Sequence, residues 1–365
     1  MFVFWLGLLV GEWSSWHLPC GSPSLAAHMA ISTDAIHLVW IEPKSKDCGD
    51  VQYAAWDGET WTEPQSVRSG CSLFINWADT PKVAAVDGWA LVTWPERMGE
   101  GTYEYGVYAS RRMDGVFGEP FWLHESRTPA EHGFVSMAPL NDKIMAVWLD
   151  GAHMVTGGAM ELHARWVSPT QLGPEQQVDD HTCECCSTSL AARGQGLEVV
   201  YRNKTDDHVR DSYAATWVDG NWTEGHAIQD DQWVIEGCPV NGPVNAPHGS
   251  QTARAWFTGV NGAAQVFVAK GDQIIKLKGE PMGRLGMAVL GDHVFVSWID
   301  AAEGGTVRVA RVSPQQQTAW AVASVPEGRS SGFPRLVVWH DRLWLAYQAE
   351  EGVLGAQIKF EGMFD

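Results

Sequence analysis

The sequence predicts an all-β fold, a β-propeller built from four-stranded blades. One pattern recurs along the chain: a short apolar strand, a polar turn, and an alternating strand that ends in an aromatic residue. These terminal aromatics are Trp40, Trp94, Trp148, Tyr201, Trp256, Trp298 and Tyr347, at successive gaps of 54, 54, 53, 55, 42 and 49 residues. Period-two alternation at this pitch is typical of propeller blades. Seven copies favour seven blades, and six is the alternative because one gap is only 42 residues long.

Residues 21–365 are predicted to form a single propeller domain, and residues 1–20 have two interpretations. The segment MFVFWLGLLV at 1–10 is apolar like an export signal, but it lacks a basic leader. The alternative is a strand from this segment that completes the last blade, since only 18 residues follow Tyr347. No apolar run reaches the ~18 residues that cross a bilayer, so we expect no transmembrane span.

The composition excludes some partners and indicates a compartment. Asp and Glu number 44 against 25 Lys and Arg, which gives a net charge of −19. Such a surface repels phosphate backbones, so we expect no nucleic-acid partner. The 7 cysteines are an odd count, which in an exported protein predicts up to three disulfides and a leftover thiol. A periplasmic or extracellular location is the expectation.

Several turns and motifs resemble those of one known family. Asp-Gly turns at 56–64, 112–120 and 217–225 favour tight hairpins and resemble worn copies of the Asp-box (BNR) repeat. The other matching stretches are INWADTP (75–81), EHGFVS (131–136), VWLDG (147–151), CECCSTS (183–189), YRNKTDDHVRD (201–211), GCPVNGP (237–243), AWFTG (255–259) and SGFPRL (331–336). Together they resemble bacterial sialidase-like β-propeller proteins with CxCC, YR…RD and GCPVNGP motifs. The resemblance implies the fold, and a fold does not establish an activity.

Propeller geometry brings scattered polar residues to one face. The segment before each inner strand and the segment after each second strand meet at the channel mouth, where propellers commonly bind ligands. The candidates for catalysis there are Asp79, Glu131, Asp150, Arg202, Arg210 and Arg284. The candidates for ligand contacts are Trp77, His132, Asp211 and Asn241. The alternative is a solvated rim of ion pairs and turn residues. The Asp-Gly hairpins are expected on the opposite face.

Four cysteines are the most unusual feature of this face. They precede the inner strands of neighbouring blades, so we expect a cluster of Cys183, Cys185, Cys186 and Cys238. Thiolates bind zinc and copper, which makes either metal a candidate cofactor. The alternative is one or two disulfides, with Cys238 joined to one of the other three and Cys48 joined to Cys71.

Two classes of function fit such a site. The first is a non-catalytic binding protein of the cell envelope that takes a small molecule, a glycan, a protein or a metal at the channel mouth. The alternative is an exo-sialidase-like glycoside hydrolase. There, arginines would grip a substrate carboxylate while Asp79, Glu131 and Asp150 supply carboxyl groups. The family's first arginine stands in a Phe/Tyr-Arg-Ile-Pro stretch, where this chain reads CGSPSL and has no arginine.

Overall fold

Seven antiparallel sheets form the blades of a β-propeller in the computed structural model, which describes residues 11–313 and 317–360. The first strand along the chain, β1 (Ser14–Trp16), belongs to blade seven. Blades one to three contain β2 (Leu25–Ile31), β3 (Ile36–Pro43), β4 (Gly49–Trp56) and β5 (Gln65–Gly70); β6 (Lys82–Val86), β7 (Trp89–Arg97), β8 (Tyr105–Met113), β9 (Val116–Phe117) and β10 (Phe121–Trp122); and β11 (His132–Leu140), β12 (Lys143–Asp150), β13 (Met160–Val167) and β14 (Gln176–Thr182). The all-β prediction with seven blades is confirmed.

The other four blades follow the same order from the inner to the outer strand. Their strands are β15 (Ser189–Arg193), β16 (Gly196–Arg202), β17 (Ser212–Val218), β18 (Asn221–Trp222) and β19 (His226–Ala227); β20 (Val244–His248), β21 (Gln251–Thr258), β22 (Gln265–Lys270) and β23 (Gln273–Lys276); β24 (Pro281–Leu290), β25 (His293–Asp300), β26 (Thr306–Val312) and β27 (Gln317–Ser324); and β28 (Arg335–Trp339), β29 (Arg342–Gln348) and β30 (Val353–Lys359). Short 3₁₀ helices span Ala152–Thr156, Val260–Gly262, Ala302–Gly304 and Gly328–Ser331.

The ring closes with strands from both ends of the chain. In blade seven, β1 pairs with β30, and Trp16 stands opposite Gly355. Each inner strand packs against the inner strands of the blades on both sides, including β2 against β28. The segment at 1–10, considered above as a closing strand or an export signal, lies outside the described residues. The strand that closes the ring in the described part is Ser14–Trp16.

Tight Asp-Gly hairpins join outer strands at one face of the ring. Asp114 and Gly115 have φ of 50° and 82°, and Asp219 and Gly220 have φ of 52° and 90°. Two successive positive φ values are typical of the type I′ turn, which matches the twist of the flanking strands. Because successive strands of a blade run in opposite directions, these turns lie opposite the face where the second strands end.

The core lies between the blades and is rich in tryptophan. Five tryptophans that are at most 1% exposed lie two or three residues before the ends of the second strands: Trp40, Trp94, Trp148, Trp256 and Trp298. Burial of a large apolar side chain contributes about 1.5–3 kcal/mol, so these residues stabilise the contacts between blades. Within the two described ranges, no helix is both long enough and apolar enough to cross a membrane.

Two disulfides join loops at the face where the second strands end. Cys48 and Cys71 flank the two outer strands of blade one, and their Cα atoms lie 3.8 Å apart. Cys185 and Cys238 join the loop before blade four to the segment before blade five, with Cα atoms 6.1 Å apart. Both bridges were among the predicted alternatives. Disulfides persist in oxidising compartments, so their presence supports an exported protein.

Replacing Trp16 with alanine tests the ring closure. Trp16 is 5% exposed, and its ring centroid lies 4.6 Å from that of Trp344 and 5.1 Å from that of Trp61. We expect Trp16→Ala to lower the free energy of unfolding by about 3–5 kcal/mol, the usual cost of deleting a buried aromatic ring. Urea unfolding followed by circular dichroism measures the change. Tyr103→Ala is the control because Tyr103 is 61% exposed; equal losses in both variants would contradict the role of β1.

Candidate functional site

Bulges in three inner strands shape the mouth of the channel. Ala26, Phe134 and Arg284 adopt φ of 62°, 53° and 59°, and the strand register shifts at each place. A bulge re-aims the neighbouring side chains, and residues other than glycine seldom adopt these backbone angles. In blade six, the Asn241 side chain accepts the Arg284 N–H at 2.9 Å and donates to the Met282 carbonyl at 3.0 Å. Asn241, predicted as a ligand contact, therefore fixes the backbone of Arg284.

Three arginines surround one pair of stacked aromatic rings. The ring centroids of Trp77 and Phe333 lie 6.0 Å apart, and their planes differ by 17°. The guanidinium carbons of Arg284 and Arg329 lie 4.7 and 5.9 Å from the Trp77 centroid. That of Arg335 lies 5.3 Å from the Phe333 centroid. We call Arg284, Arg329 and Arg335 the arginine cluster; its cation–π contacts offset part of the cost of bringing three like charges together.

A cavity of about 510 Å³ opens beside the arginine cluster. Its lining includes Asn76, Trp77, Thr80, Arg329, Phe333, Arg335 and the exposed Glu350. Among the described residues, no carboxylate oxygen lies within 4.0 Å of a guanidinium nitrogen of the cluster. Burial lowers the pKa of Arg284 and of Arg335 to about 10. Unpaired buried cations are costly, so this cavity is suited to an anion that the protein itself does not supply.

A buried group of acids lies next to the cavity. Tyr105 donates its phenol proton to Glu131 Oε1 at 3.0 Å. Asp79 is 3% exposed and lies beside the Tyr105 hydroxyl at Gly133, where a Cβ atom would collide with both side chains. Burial raises the pKa of Asp79, and burial together with the charge of Asp79 raises the pKa of Glu131 to about 8. We call Asp79, Tyr105 and Glu131 the acid cluster. Glu131 keeps its proton at neutral pH.

Lys82 connects the acid cluster to the arginine cluster. Its ammonium group donates to Thr80 Oγ1 at 2.5 Å, and the same oxygen accepts a long hydrogen bond from Arg335 at 3.5 Å. Burial and then the Arg335 charge lower the pKa of Lys82, while the Asp79 charge raises it. Burial also lowers the pKa of His28, with the charges of Lys82 and Arg335 adding to the effect. Cationic and acidic groups are therefore contiguous across the mouth.

The cysteine cluster is present, with two of its four sulfurs in a disulfide. Cys185 is bonded to Cys238, so the predicted set of four thiolates is not formed in this structure. Cys183 and Cys186 remain free thiols, with Sγ atoms 3.5 Å apart. The hydrogen bond between the two sulfurs, followed by the Cys185 backbone N–H and the Arg210 charge, lowers the pKa of Cys183 to about 6, whereas burial raises the pKa of Cys186. We call Cys183 and Cys186 the thiol pair.

Arg202 and Arg210 are occupied by the protein itself. Arg202 is 2% exposed, and its guanidinium group donates to the carbonyl groups of Asn241, Arg210 and Phe257. Arg210 donates to Cys183 Sγ at 2.9 Å and to the Ile235 carbonyl at 3.1 Å. Arg202 therefore fixes the loops between blades four and five, and Arg210 belongs with the thiol pair rather than with the arginine cluster.

Three more predicted site residues, His132, Asp150 and Asp211, also form hydrogen bonds with other parts of the chain. Asp150 accepts hydrogen bonds from the Trp148 indole at 3.1 Å, from His132 at 2.9 Å and from the Ala152 N–H at 3.0 Å. Asp211 accepts two backbone N–H groups, those of Gln232 and Trp233, at 2.9 and 3.0 Å. These contacts fix the ends of the second strands and the loops after them.

The site also contains residues that are not among those predicted, including Tyr105, Lys82, Arg329, Phe333 and Arg335. Arg335 begins the inner strand of blade seven in the quoted stretch SGFPRL, so the positional argument used for the other blades would have found it. Tyr105 begins a third strand, which also starts at this face, and the prediction considered inner and second strands only. Arg329 lies in a short 3₁₀ helix before blade seven and gives no comparable signal.

The fold and the site define a seven-bladed β-propeller with a cationic cavity at one face. Among solved structures, the chain is similar to a protein of unknown function from Dyadobacter fermentans DSM 18053, with 12% identity, a TM-score of 0.57, and coverage of 98% of this chain and 100% of that chain. It is also similar to the phage phi92 endosialidase, with 9% identity, a TM-score of 0.48, and coverage of 97% and 70%.

A third similar structure is a subtype N10 neuraminidase-like protein of A/little yellow-shouldered bat/Guatemala/060/2010. It has 10% identity and a TM-score of 0.49, with 96% of this chain and 98% of that chain covered. At such identities the likeness concerns the fold alone. No family model matches the chain, and no curated protein matches it.

The raised pKa of Glu131 predicts a pH dependence of stability. The folded state binds this proton more tightly than the unfolded state, because the pKa rises from 4.5 to about 8. The resulting stabilisation is complete below pH 4.5 and is lost as the pH rises through about 8. Between pH 5 and pH 9, we expect the free energy of unfolding to fall less in Glu131→Gln than in the wild type. Urea titrations at several pH values measure this difference. Glu59→Gln, in an exposed turn, is the control; parallel curves for all three proteins would contradict the assignment.

Proposed function

We propose that the protein is an exported binding protein for a small anionic ligand, which it holds at the channel mouth. The observation that carries this proposal is the arginine cluster: three guanidinium groups around one aromatic pair, without a carboxylate partner among the described residues. The remainder of the chain has a large excess of acidic side chains, with a net charge of −19. The Arg284 guanidinium group donates to the Ser331 hydroxyl and the Gly332 carbonyl, but no carboxylate of the described residues pairs with the three arginines, which supports an anionic ligand.

The lining of the cavity supports a ligand with a carboxylate on a compact ring. Arginine binds a carboxylate through two parallel hydrogen bonds, which fixes the orientation of the ligand. Trp77 and Phe333 offer flat apolar surfaces to the ring, and the Thr80 hydroxyl and Asn76 amide are polar groups of the same lining. A volume of about 510 Å³ accommodates a ligand of monosaccharide size. The acidic monosaccharides are therefore the ligand class we assign.

The proposed compartment is the periplasm or the extracellular space. The two disulfides support it, because cytosolic proteins rarely keep such bonds. Arg335 supports the carboxylate site in a further way: it supplies an arginine from blade seven where the CGSPSL stretch before blade one has none.

A second candidate function is glycoside hydrolysis, which the acid cluster favours. A buried phenol bonded to a carboxyl group, with a second carboxyl beside it, is the set of groups that a sialidase-type reaction requires. Such a reaction needs one ionised carboxylate to activate the nucleophile. Glu131 has a pKa of about 8, and burial raises the pKa of Tyr105 well above its usual value. Activation of the Tyr105 phenol is therefore weak at neutral pH. For this reason we propose ligand binding, rather than glycoside hydrolysis, as the main function.

Titration calorimetry with N-acetylneuraminic acid and its methyl ester tests the binding function. We expect the acid to bind and the ester, which lacks the charge, to bind at least tenfold more weakly. We expect Arg335→Met to weaken binding of the acid by about 10–100-fold, which is the usual contribution of one hydrogen bond to a charged group. Arg342→Met is the matched control, because Arg342 lies in the same blade at the opposite face, beside Asp341. Equal affinity for acid and ester, or undiminished binding by Arg335→Met, would refute the proposal.

Release of 4-methylumbelliferone from its α-N-acetylneuraminide separates hydrolysis from binding. We expect no release above background at pH 7, because Glu131 is protonated there. Turnover at pH 5–7 that disappears in Asp79→Asn and in Tyr105→Phe would make glycoside hydrolysis, rather than ligand binding, the main function. Calorimetry on the same two variants shows whether the ligand still binds when the acid cluster is changed.

A further inference from the structure

Cys183 and Cys186 form a buried pair of sulfurs that plays no part in binding an anion at the arginine cluster. Both residues are 1% exposed, and their Sγ atoms lie 3.5 Å apart. They stand in the stretch CECC, three residues apart, in the loop that enters blade four. The structure leaves both as free thiols, although two other cysteine pairs in the described chain are joined.

The neighbouring disulfide fixes the loop that carries the pair. Cys185 lies between the two thiols in sequence and is bonded to Cys238, which ties this loop to the segment before blade five. The backbone N–H of Cys183 also donates to the Arg202 carbonyl at 2.9 Å, at the end of the second strand of blade four. The two free sulfurs are therefore held side by side by bonds that do not involve their own side chains.

A positive charge is directed at the pair. Arg210 Nη1 lies 2.9 Å from Cys183 Sγ. The same guanidinium group is oriented by the Glu184 carboxylate at 2.9 Å and by the Ile235 carbonyl at 3.1 Å. A buried arginine at this distance stabilises negative charge on sulfur. The environment therefore stabilises a thiolate at Cys183, which a pair of neutral thiols packed as apolar groups would not need.

We propose that Cys183 and Cys186 together bind one Cu⁺ ion. Soft thiolate ligands select Cu⁺, and the Cys183 and Cys186 Sγ atoms lie 3.5 Å apart, close enough for metal–sulfur bonds of about 2.3 Å from both to one ion. Any proton on either sulfur leaves to solvent as the ion binds, and the oxidation state of copper does not change. One Cu⁺ with two thiolates carries a single negative charge, which Arg210 balances. Zinc normally takes four ligands, and the disulfide removes two of the four sulfurs.

The test uses the full chain purified under argon without an added thiol reductant, so that the disulfides remain intact. Cu⁺ is supplied as its bathocuproine disulfonate complex, whose absorbance reports transfer to the protein. We expect one Cu⁺ per chain, and X-ray absorption should show two sulfur neighbours. Cys183→Ser and Cys186→Ser should each weaken binding at least 100-fold. Cys20→Ser is the matched control, because Cys20 is also a free cysteine but lies outside the cluster.

Arg210→Met provides a second variant that keeps both sulfurs, and loss of the charge-assisted contact should weaken Cu⁺ binding about tenfold. Three results would overturn the proposal: a Cys183–Cys186 disulfide in non-reducing peptide maps, no transfer of Cu⁺ to the wild type, or three or four sulfur neighbours around the bound ion. Preference for Zn²⁺ after reduction of Cys185–Cys238 would also overturn it, in favour of a four-thiolate site. Binding of N-acetylneuraminic acid to Cys183→Ser shows whether the arginine cluster is intact.

Discussion

A buried tryptophan that donates its indole N–H to a carboxylate determines the end of the second strand in four of the blades. The four pairs have N···O distances of 3.0–3.1 Å and are Trp40–Glu42, Trp94–Glu96, Trp148–Asp150 and Trp298–Asp300. Residues two apart in a strand point to the same side, so the acid follows its tryptophan at this spacing. A buried N–H without an acceptor is costly. One short pattern therefore secures both the packing between blades and the path of the chain at the channel mouth.

This pairing determines the charge of the mouth. The acids that follow the second strands are bound to indole groups, and some bind further partners, as Asp150 does with His132. Glu96 pairs with Arg68 of the neighbouring blade at 2.5 Å, and none of the four acids pairs with the arginine cluster. The arginines come instead from blades six and seven: Arg284 from a bulge in an inner strand, Arg329 from a short 3₁₀ helix, and Arg335 from the first position of an inner strand. A chain with a net charge of −19 thus has a cationic cavity, and the acids that end these four second strands are held by their tryptophans and do not pair with its arginines.

The fold could be predicted from the sequence because the aromatic spacing and the alternation repeat in every blade. Strand direction also determines on which face of the ring each loop lies, so the predicted site residues could be assigned to one face from the sequence. The roles of individual residues could not. Arg202 and Arg335 are both arginines near a strand end, but three carbonyl groups occupy Arg202, whereas Arg335 lines a cavity. That difference depends on loop paths from other blades. The pairing of Cys185 with Cys238, rather than with a nearer cysteine, depends on loops in the same way.

The acid cluster lies between the two proposed sites, and charge determines whether they influence each other. Glu131 is affected by the charge of Asp79 on one side and by those of Glu184 and Cys183 on the other. Without metal, the thiol pair carries about one negative charge at neutral pH, because the pKa of Cys183 is about 6 and that of Cys186 is raised. With Cu⁺ bound, two thiolates and one monovalent cation also sum to one negative charge. Glu131 therefore experiences nearly the same field in both states. A monovalent ion at the thiol pair leaves the acid cluster, and through it the arginine cluster, unchanged, whereas a divalent ion would add a positive charge and favour ionisation of Glu131.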